Sequence, residues 1–209
     1  MPGKMIYSQS GLCNRLRLMS LWRSTGSITV IWTKNAACPA WWRELFHDLD
    51  GVDVRDTNHT KMVPTKWPEN HRRSFSINDL TPIFEVPKIA NSYVAVHVRR
   101  TDIERVQKKR RIIPQSDQSY FDFIDNSGED WVYLATDNQK TQGAFRRRYG
   151  DRLLCYEEIH GYGSRHRPAR CTSMVHAVVD LFTCAKASSF LGTLGSSFTG
   201  EIMGARPCP

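Results

Sequence analysis

The stretch Tyr93-Val94-Ala95-Val96-His97-Val98-Arg99-Arg100-Thr101-Asp102 decides the fold. Its first six residues form a nearly continuous apolar run, rich in valine and free of Gly and Pro. A run of that length and type is a strand buried on both faces, as in a parallel sheet. It then breaks into two arginines, a threonine and an aspartate, so polar chemistry stands at the carboxyl end of a buried strand. Outward from this point the pattern repeats. Trp131–Ala135 reads as a strand ending in Thr136-Asp137-Asn138, and Gln139–Tyr149 reads as the helix behind it. Ser188–Gly192 reads as a strand running into Gly195-Ser196-Ser197-Phe198-Thr199, where another helix begins. Between these lie a basic loop, a helix over Tyr120–Asp125 and a long helix over Ser173–Ala185. Strands alternating with helices imply a parallel sheet covered on both faces.

The first half opens in the same way. Met5–Tyr7 reads as a strand, Ser10–Cys13 as a glycine-containing turn, and the next dozen residues as an amphipathic helix. Ser27–Trp32 alternates as a strand, and a short helix is expected around Trp41–Phe46. From about Asp56 to Pro87 the pattern blurs, and four prolines punctuate a polar stretch suited to a linker or an irregular domain edge. The expectation is an α/β, GT-B-like protein with two small Rossmann-like halves, 1–87 and 88–209, whose parallel sheets face a cleft.

The chain has 209 residues and a formal net charge of +8, which suits an anionic partner such as a nucleoside diphosphate. A basic nucleic-acid-binding protein is the competing class. Against it, the runs Lys108–Arg111 and Arg146–Arg148 are not interleaved with aromatics, so no nucleic-acid partner is expected. No apolar run approaches the roughly 20 residues of a membrane span, so no membrane segment is expected. The N-terminus lacks a secretory pattern, and a cytoplasmic location follows as an expectation. Six cysteines without CxxC or zinc spacing are expected to be buried thiols.

In an open parallel sheet, ligands bind beyond the carboxyl ends of the strands. The three polar clusters are therefore expected to gather at one edge. Arg99 and Arg100 present planar forks suited to diphosphate oxygens. Ser196 and Ser197, at a helix start, offer hydroxyls and backbone N–H groups to an anion. Asp137 could accept from the N1–H and 2-amino group of guanine. With no DxD triplet in these three clusters, no metal is expected there, and the arginines take its place at the leaving group.

These residues resemble a known family. Val94–Asp102 (VAVHVRRTD) looks like the first motif of the α1,6-fucosyltransferases and their protein O-fucosyltransferase relatives, and Val132–Asn138 (VYLATDN) looks like their second. Val178–Ile202 is similar to their third, and Ser10–Trp22 (SGLCNRLRLMSLW) resembles the opening of bacterial members. The resemblance implies an inverting, metal-independent fucosyltransferase that uses GDP-fucose or a related GDP-sugar as donor substrate, with no further cofactor. A glycan or protein hydroxyl would be the acceptor. It also implies that His97 and Asp137 contact guanosine, Arg99 and Arg100 the diphosphate, and Ser196, Ser197 and Phe198 the phosphate and base pocket. Asn14 and Arg15 would face the sugar or acceptor from the first half. No carboxylate aligns with the family's proposed base, and Asp102 and Glu104 are the nearby candidates. Departures exist: Cys13 replaces a glycine, Asn138 replaces an aspartate, and Gln107 stands where the eukaryotic enzymes carry the proposed base. A catalytically inactive nucleotide-binding relative is the remaining alternative.

Overall fold

A computed structural model describes residues 4–58, 62–69, 72–159 and 172–206. The chain divides into two compact units, Met1–Glu85 and Val86–Pro209.

The first unit is built on a three-stranded parallel sheet in the order β1 (Lys4–Tyr7), β2 (Ile28–Trp32), β3 (Val52–Asp56). Helix α1 (Leu12–Arg23) crosses from β1 to β2 and buries Leu12, Leu16, Leu18 and Met19. Trp32, Trp42 and Phe46 pack beside the sheet, with ring centroids 5.5 and 4.8 Å apart. The sequence reading has no β3. Val52-Asp53-Val54-Arg55-Asp56 is an edge strand that buries only Val52, so the apolar signal is nearly absent. The Pro-punctuated stretch packs on this unit rather than hanging free. Thr65 pairs with Tyr7 along β1 through Thr65 N–H to the Tyr7 carbonyl (2.8 Å) and Tyr7 N–H to Thr65 Oγ1 (2.9 Å). Phe75 N–H donates to Ser20 Oγ on α1 (3.0 Å).

The second unit holds a four-stranded, all-parallel sheet in the order β6 (Leu153–Leu154), β5 (Trp131–Thr136), β4 (Tyr93–Val98), β7 (Ser189–Gly192). Around it lie α2 (Ile103–Arg110), α3 (Asp117–Asp125), α4 (Gln139–Tyr149), α5 (Met174–Lys186) and α6 (Ser197–Ala205). Every residue of β4 is buried. Val94, Val96 and Val98 pack with Tyr120, Ile124, Val132, Leu134, Phe145 and Tyr149 into one core. In chain order within the unit the strands run 3-2-1-4. The chain thus leaves β4 in one direction and returns on its other side as β7, which creates a topological switch point between these two strands.

One expectation is corrected. The basic segment after Asp102 is a helix, α2, not a loop. Ile103 and Gln107, one turn apart, form its buried face. Glu104 in the first turn and Lys108, Lys109 and Arg110 in the last suit the helix dipole. Its charge density had masked a helical period that rests on so few apolar positions.

Candidate active site

Beyond the carboxyl ends of β4, β5 and β7 lies a cavity lined by His97, Arg99, Thr101, Asp102, Thr136, Asp137, Thr172, Ala177, Asp180 and Phe198. All three clusters named from sequence contribute to it. Parallel register places His97 opposite both Ala135 and Gly192, so the strand ends lie level.

Thr193 ties two of these ends together. Its hydroxyl donates to the His97 carbonyl (2.8 Å), accepts from Arg99 N–H (2.9 Å) and shares a hydrogen bond with Tyr120 O–H (3.0 Å). Gly192, just before it, is needed for close approach: a Cβ there would lie 2.4 Å from the Thr199 side chain. Thr199 Oγ1 in turn shares a 2.9 Å hydrogen bond with His97 Nδ1. Gly195 turns the chain into α6 with φ +84°, a backbone conformation that side chains with a Cβ resist.

His97 is buried and stacks on Phe198, centroids 4.5 Å apart. Burial, reinforced by the Arg99 charge, pushes its pKa down to about 3, so the imidazole is neutral at physiological pH. Arg99 points to the cavity and is held by Asp102 (Nε to Oδ1, 2.7 Å), with Asp137 Oδ2 3.8 Å away.

Four residues are placed differently from expectation. The Arg100 guanidinium is bound to the Gln115 carbonyl (3.0 Å) and to Asp117, 5.9 Å over the Tyr120 ring, and does not line the cavity. The two adjacent arginines therefore part, one to the cavity and one to α3. Glu104 is exposed on the first turn of α2 and does not line it either. Arg15, in the first unit, is buried rather than open to a ligand. It donates to the carbonyls of Ser10 (2.7 Å) and Thr33 (2.8 Å) and so braces the turn between β1 and α1. Asp137 has both oxygens occupied, Oδ1 by Arg100 N–H (2.9 Å) and Oδ2 by the Thr101 hydroxyl. It holds the first motif in shape and sits beside Arg99 in the polar part of the cavity.

The remaining sites fall as follows. Asn14 lies half-buried in the first turn of α1, whose N-cap is Gly11. Asn138 caps α4 by accepting from Thr141 N–H (2.9 Å). Ser196 stands at the N-cap position of α6 without a side-chain capping bond, its buried Oγ lacking a hydrogen-bond partner, and Ser197 is the first residue of that helix; neither lines the cavity. Gln107 is buried, donating to the Leu194 carbonyl (3.0 Å), a structural tie between α2 and the turn before α6. Cys13, Cys38 and Cys184 are buried and, with Cys155, form no disulfide; Cys171 and Cys208 lie outside the described residues.

The sequence reading missed Asp180. It projects from α5 into the cavity wall, 4% exposed, in a helix whose buried residues are mostly apolar. Tyr133 O–H donates to its Oδ1 (2.8 Å), and His176 Nε2 lies 3.3 Å from Oδ2, with Glu157 3.4 Å from the other ring nitrogen. Burial raises the Asp180 pKa against the pull of His176 and Tyr133. Burial also opposes the His176 charge, but Asp180 and Glu157 outweigh it, and its pKa is raised. A lone carboxylate inside Val178–Cys184 was the available signal, since a buried acid without a reason is costly.

Among solved structures, the chain superposes on the fucosyltransferase NodZ from Bradyrhizobium with a TM-score of 0.61 at 12% sequence identity, covering 99% of this chain and 95% of that one. The chain has the fold of a fucosyltransferase. A NodZ α-1,6-fucosyltransferase co-crystallized with GDP gives a TM-score of 0.58, again at 12% identity, over 99% of this chain and 94% of that one. The architecture is accordingly α/β and GT-B-like, with parallel sheets. No protein-family profile matches the chain, and no curated protein matches it in sequence. The likeness is thus one of fold, and the reading of the site rests on its own residues.

Proposed function

We propose that the protein is an inverting, metal-independent glycosyltransferase that moves a sugar, most simply fucose, from a GDP-sugar to a glycan or protein hydroxyl. The observation that carries this is the cavity at the β4/β7 switch point, in which one arginine and a buried carboxylate share a wall with a stacked His97–Phe198 pair. The contacts divide it into two regions. Arg99, oriented by Asp102 and beside the Thr101–Asp137 pair, is the group in the polar part suited to phosphate. His97, Phe198, Ala177 and Asp180 offer a flat apolar surface with an acceptor at its rim, suited to a purine.

Guanine recognition is therefore assigned to Asp180 in place of Asp137. Asp180 keeps lone pairs for N1–H and the 2-amino group beside its bonds to Tyr133 and His176. The enclosed part of the cavity is about 70 Å³, so the nucleotide would seat an edge there and lie outward along the strand ends. In transfer, the acceptor oxygen forms a bond to the anomeric carbon as the bond to the β-phosphate oxygen breaks, and the acceptor hydroxyl gives its proton to solvent water. Negative charge grows on the departing GDP, where Arg99, oriented by Asp102, neutralises it.

Calorimetric titration tests this. GDP should bind more tightly than IDP, ADP or UDP. Asp180→Asn should cut the preference for GDP over IDP by about 10- to 100-fold, the worth of a hydrogen bond to a charged group. Turnover should survive chelation. Equal affinities across the panel, or turnover lost in chelator and restored by manganese, would each remove the corresponding part of the proposal. One observation favours a second reading. The cavity-lining carboxylates Asp102, Asp137 and Asp180 all carry partners, so none stands free as a base. A relative that binds nucleotide without transfer would show GDP affinity and no donor turnover.

A further inference from the structure

The net charge of the second unit lies on one short segment. Residues 86–209 contain 18 Lys and Arg against 13 Asp and Glu, a net of +5, and Arg105, Lys108, Lys109, Arg110 and Arg111 supply five positive charges on their own. All five are exposed. None of them is within ion-pair distance of a carboxylate among the described residues, whereas two of the three arginines in the other basic run are paired, Arg146 with Glu158 (3.4 Å) and Arg148 with Asp125 (2.5 Å).

A helix dipole favours cations at a C-terminus, but it does not explain what stands beside them. Ile113 is 85% exposed and Leu194 49%. Both belong to the same end of α2. Ile112 N–H donates to the Gln107 carbonyl (2.9 Å), which brings residues 112–113 back against the last turn, and Gln107 Nε2 binds the Leu194 carbonyl (3.0 Å). Unpaired cations flanked by exposed aliphatics suit an anionic bilayer. The charges meet the headgroups, and the aliphatics enter the boundary with the acyl chains. Single-stranded nucleic acid fits less well, because residues 103–113 include no aromatic on which bases could stack.

We propose that the C-terminal end of α2, with Ile113 and Leu194, is a peripheral docking surface for anionic phospholipid membranes. No helix among the described residues is long and apolar enough to cross a membrane, so the contact is with the surface. The helix has eight residues and rises about 1.5 Å per residue, so its docking end stands about 12 Å from Asp102, which lines the cavity. A lipid-borne acceptor headgroup would lie within reach of that distance. The surface stands independently of the donor reading.

Co-sedimentation of the full chain with vesicles tests it at near-physiological salt. Binding is expected to phosphatidylcholine vesicles carrying about one third phosphatidylglycerol, and not to pure phosphatidylcholine. Changing Lys108, Lys109, Arg110 and Arg111 together to Gln should weaken binding more than about 100-fold, at roughly fivefold per charge. Ile113→Ser, which leaves charge unchanged, should weaken it by about tenfold. Thermal midpoints close to that of the parent would show both variants folded. Absence of binding to the anionic vesicles overturns the proposal. So does equal affinity for soluble heparin together with vesicle binding indifferent to Ile113→Ser, which would make the patch a site for soluble polyanions.

Discussion

Replacing Thr193 by Val keeps shape and burial but deletes the hydroxyl that joins β4 to β7. The cost can be worked bond by bond. The His97 carbonyl still accepts from Thr193 N–H (2.9 Å), and Tyr120 O–H still has Gln115 Oε1 (3.2 Å). Arg99 N–H has no such substitute, since its 2.9 Å bond to the Thr193 hydroxyl is lost with nothing to replace it. An orphaned donor costs about 1–3 kcal/mol and the weakened Tyr120 contact about 1. The expected destabilisation is therefore about 2–4 kcal/mol, or roughly 4–16 °C in a chain of this length. Arg99 would also lose its backbone anchor, so kcat/KM should fall by about tenfold or more even at temperatures where the variant is folded. Denaturant titration and donor turnover measure the two effects separately. Thr193→Ser retains the hydroxyl and should recover most of both. If Val and Ser variants unfold within about 0.5 kcal/mol of each other, the hydroxyl does not hold the strand ends and the reasoning fails.

Arg99→Ala should lower turnover by about 100-fold, while Arg100→Ala, which breaks ties to Gln115 and Asp117, should mainly lower stability; equal kinetic losses with unchanged stability would show that both arginines meet the substrate. For His97, the folded pKa of about 3 lies below the unfolded 6.5, so its contribution is complete above pH 6.5 and is lost as pH falls toward 3. By pH 5 the parent should lose about 2 kcal/mol that His97→Gln does not. Taking the difference between the two proteins cancels His176 and Asp180, whose raised pKa values give the opposite slope, and parallel pH curves would mean that His97 is not held neutral.

Some of this was legible because local signals agreed. Tyr93–Val98 is uninterrupted and apolar, and Gln139–Tyr149 has its cap, Asn138, immediately before it. Other elements were hidden for reasons that can be named. β3 exposes four of its five residues at least in part and carries two aspartates, since an edge strand needs only one buried face. α2 buries only Ile103 and Gln107, one of them polar, so hydropathy has almost nothing to register. The site shows the same division. That polar residues follow the strands could be read directly. Which of two adjacent arginines reaches the cavity could not, because it depends on Asp117 and Gln115, more than a dozen residues away on another element. Arg15 was misplaced for a like reason: its partners are carbonyls at Ser10 and Thr33, and no side-chain pattern announces a carbonyl.

Strand order was the largest missing quantity, and it explains why the clusters meet. Hydropathy shows three of the four strands, missing the two-residue β6, and not that the last returns beside the first. Had β7 joined the sheet next to β6, the turn carrying Thr193, Ser196 and Phe198 would lie three strands from His97, roughly 14 Å away at the usual spacing between neighbours. Instead β7 pairs with β4, and Gly192 sits opposite His97. That pairing lets Thr199 reach the imidazole and lets Thr193 bind the backbone on both sides of Val98. It also leaves α5, the crossover into β7, running over the sheet with Asp180 at the cavity wall. The acid missed from sequence and the clusters found in it are thus brought together by one topological fact.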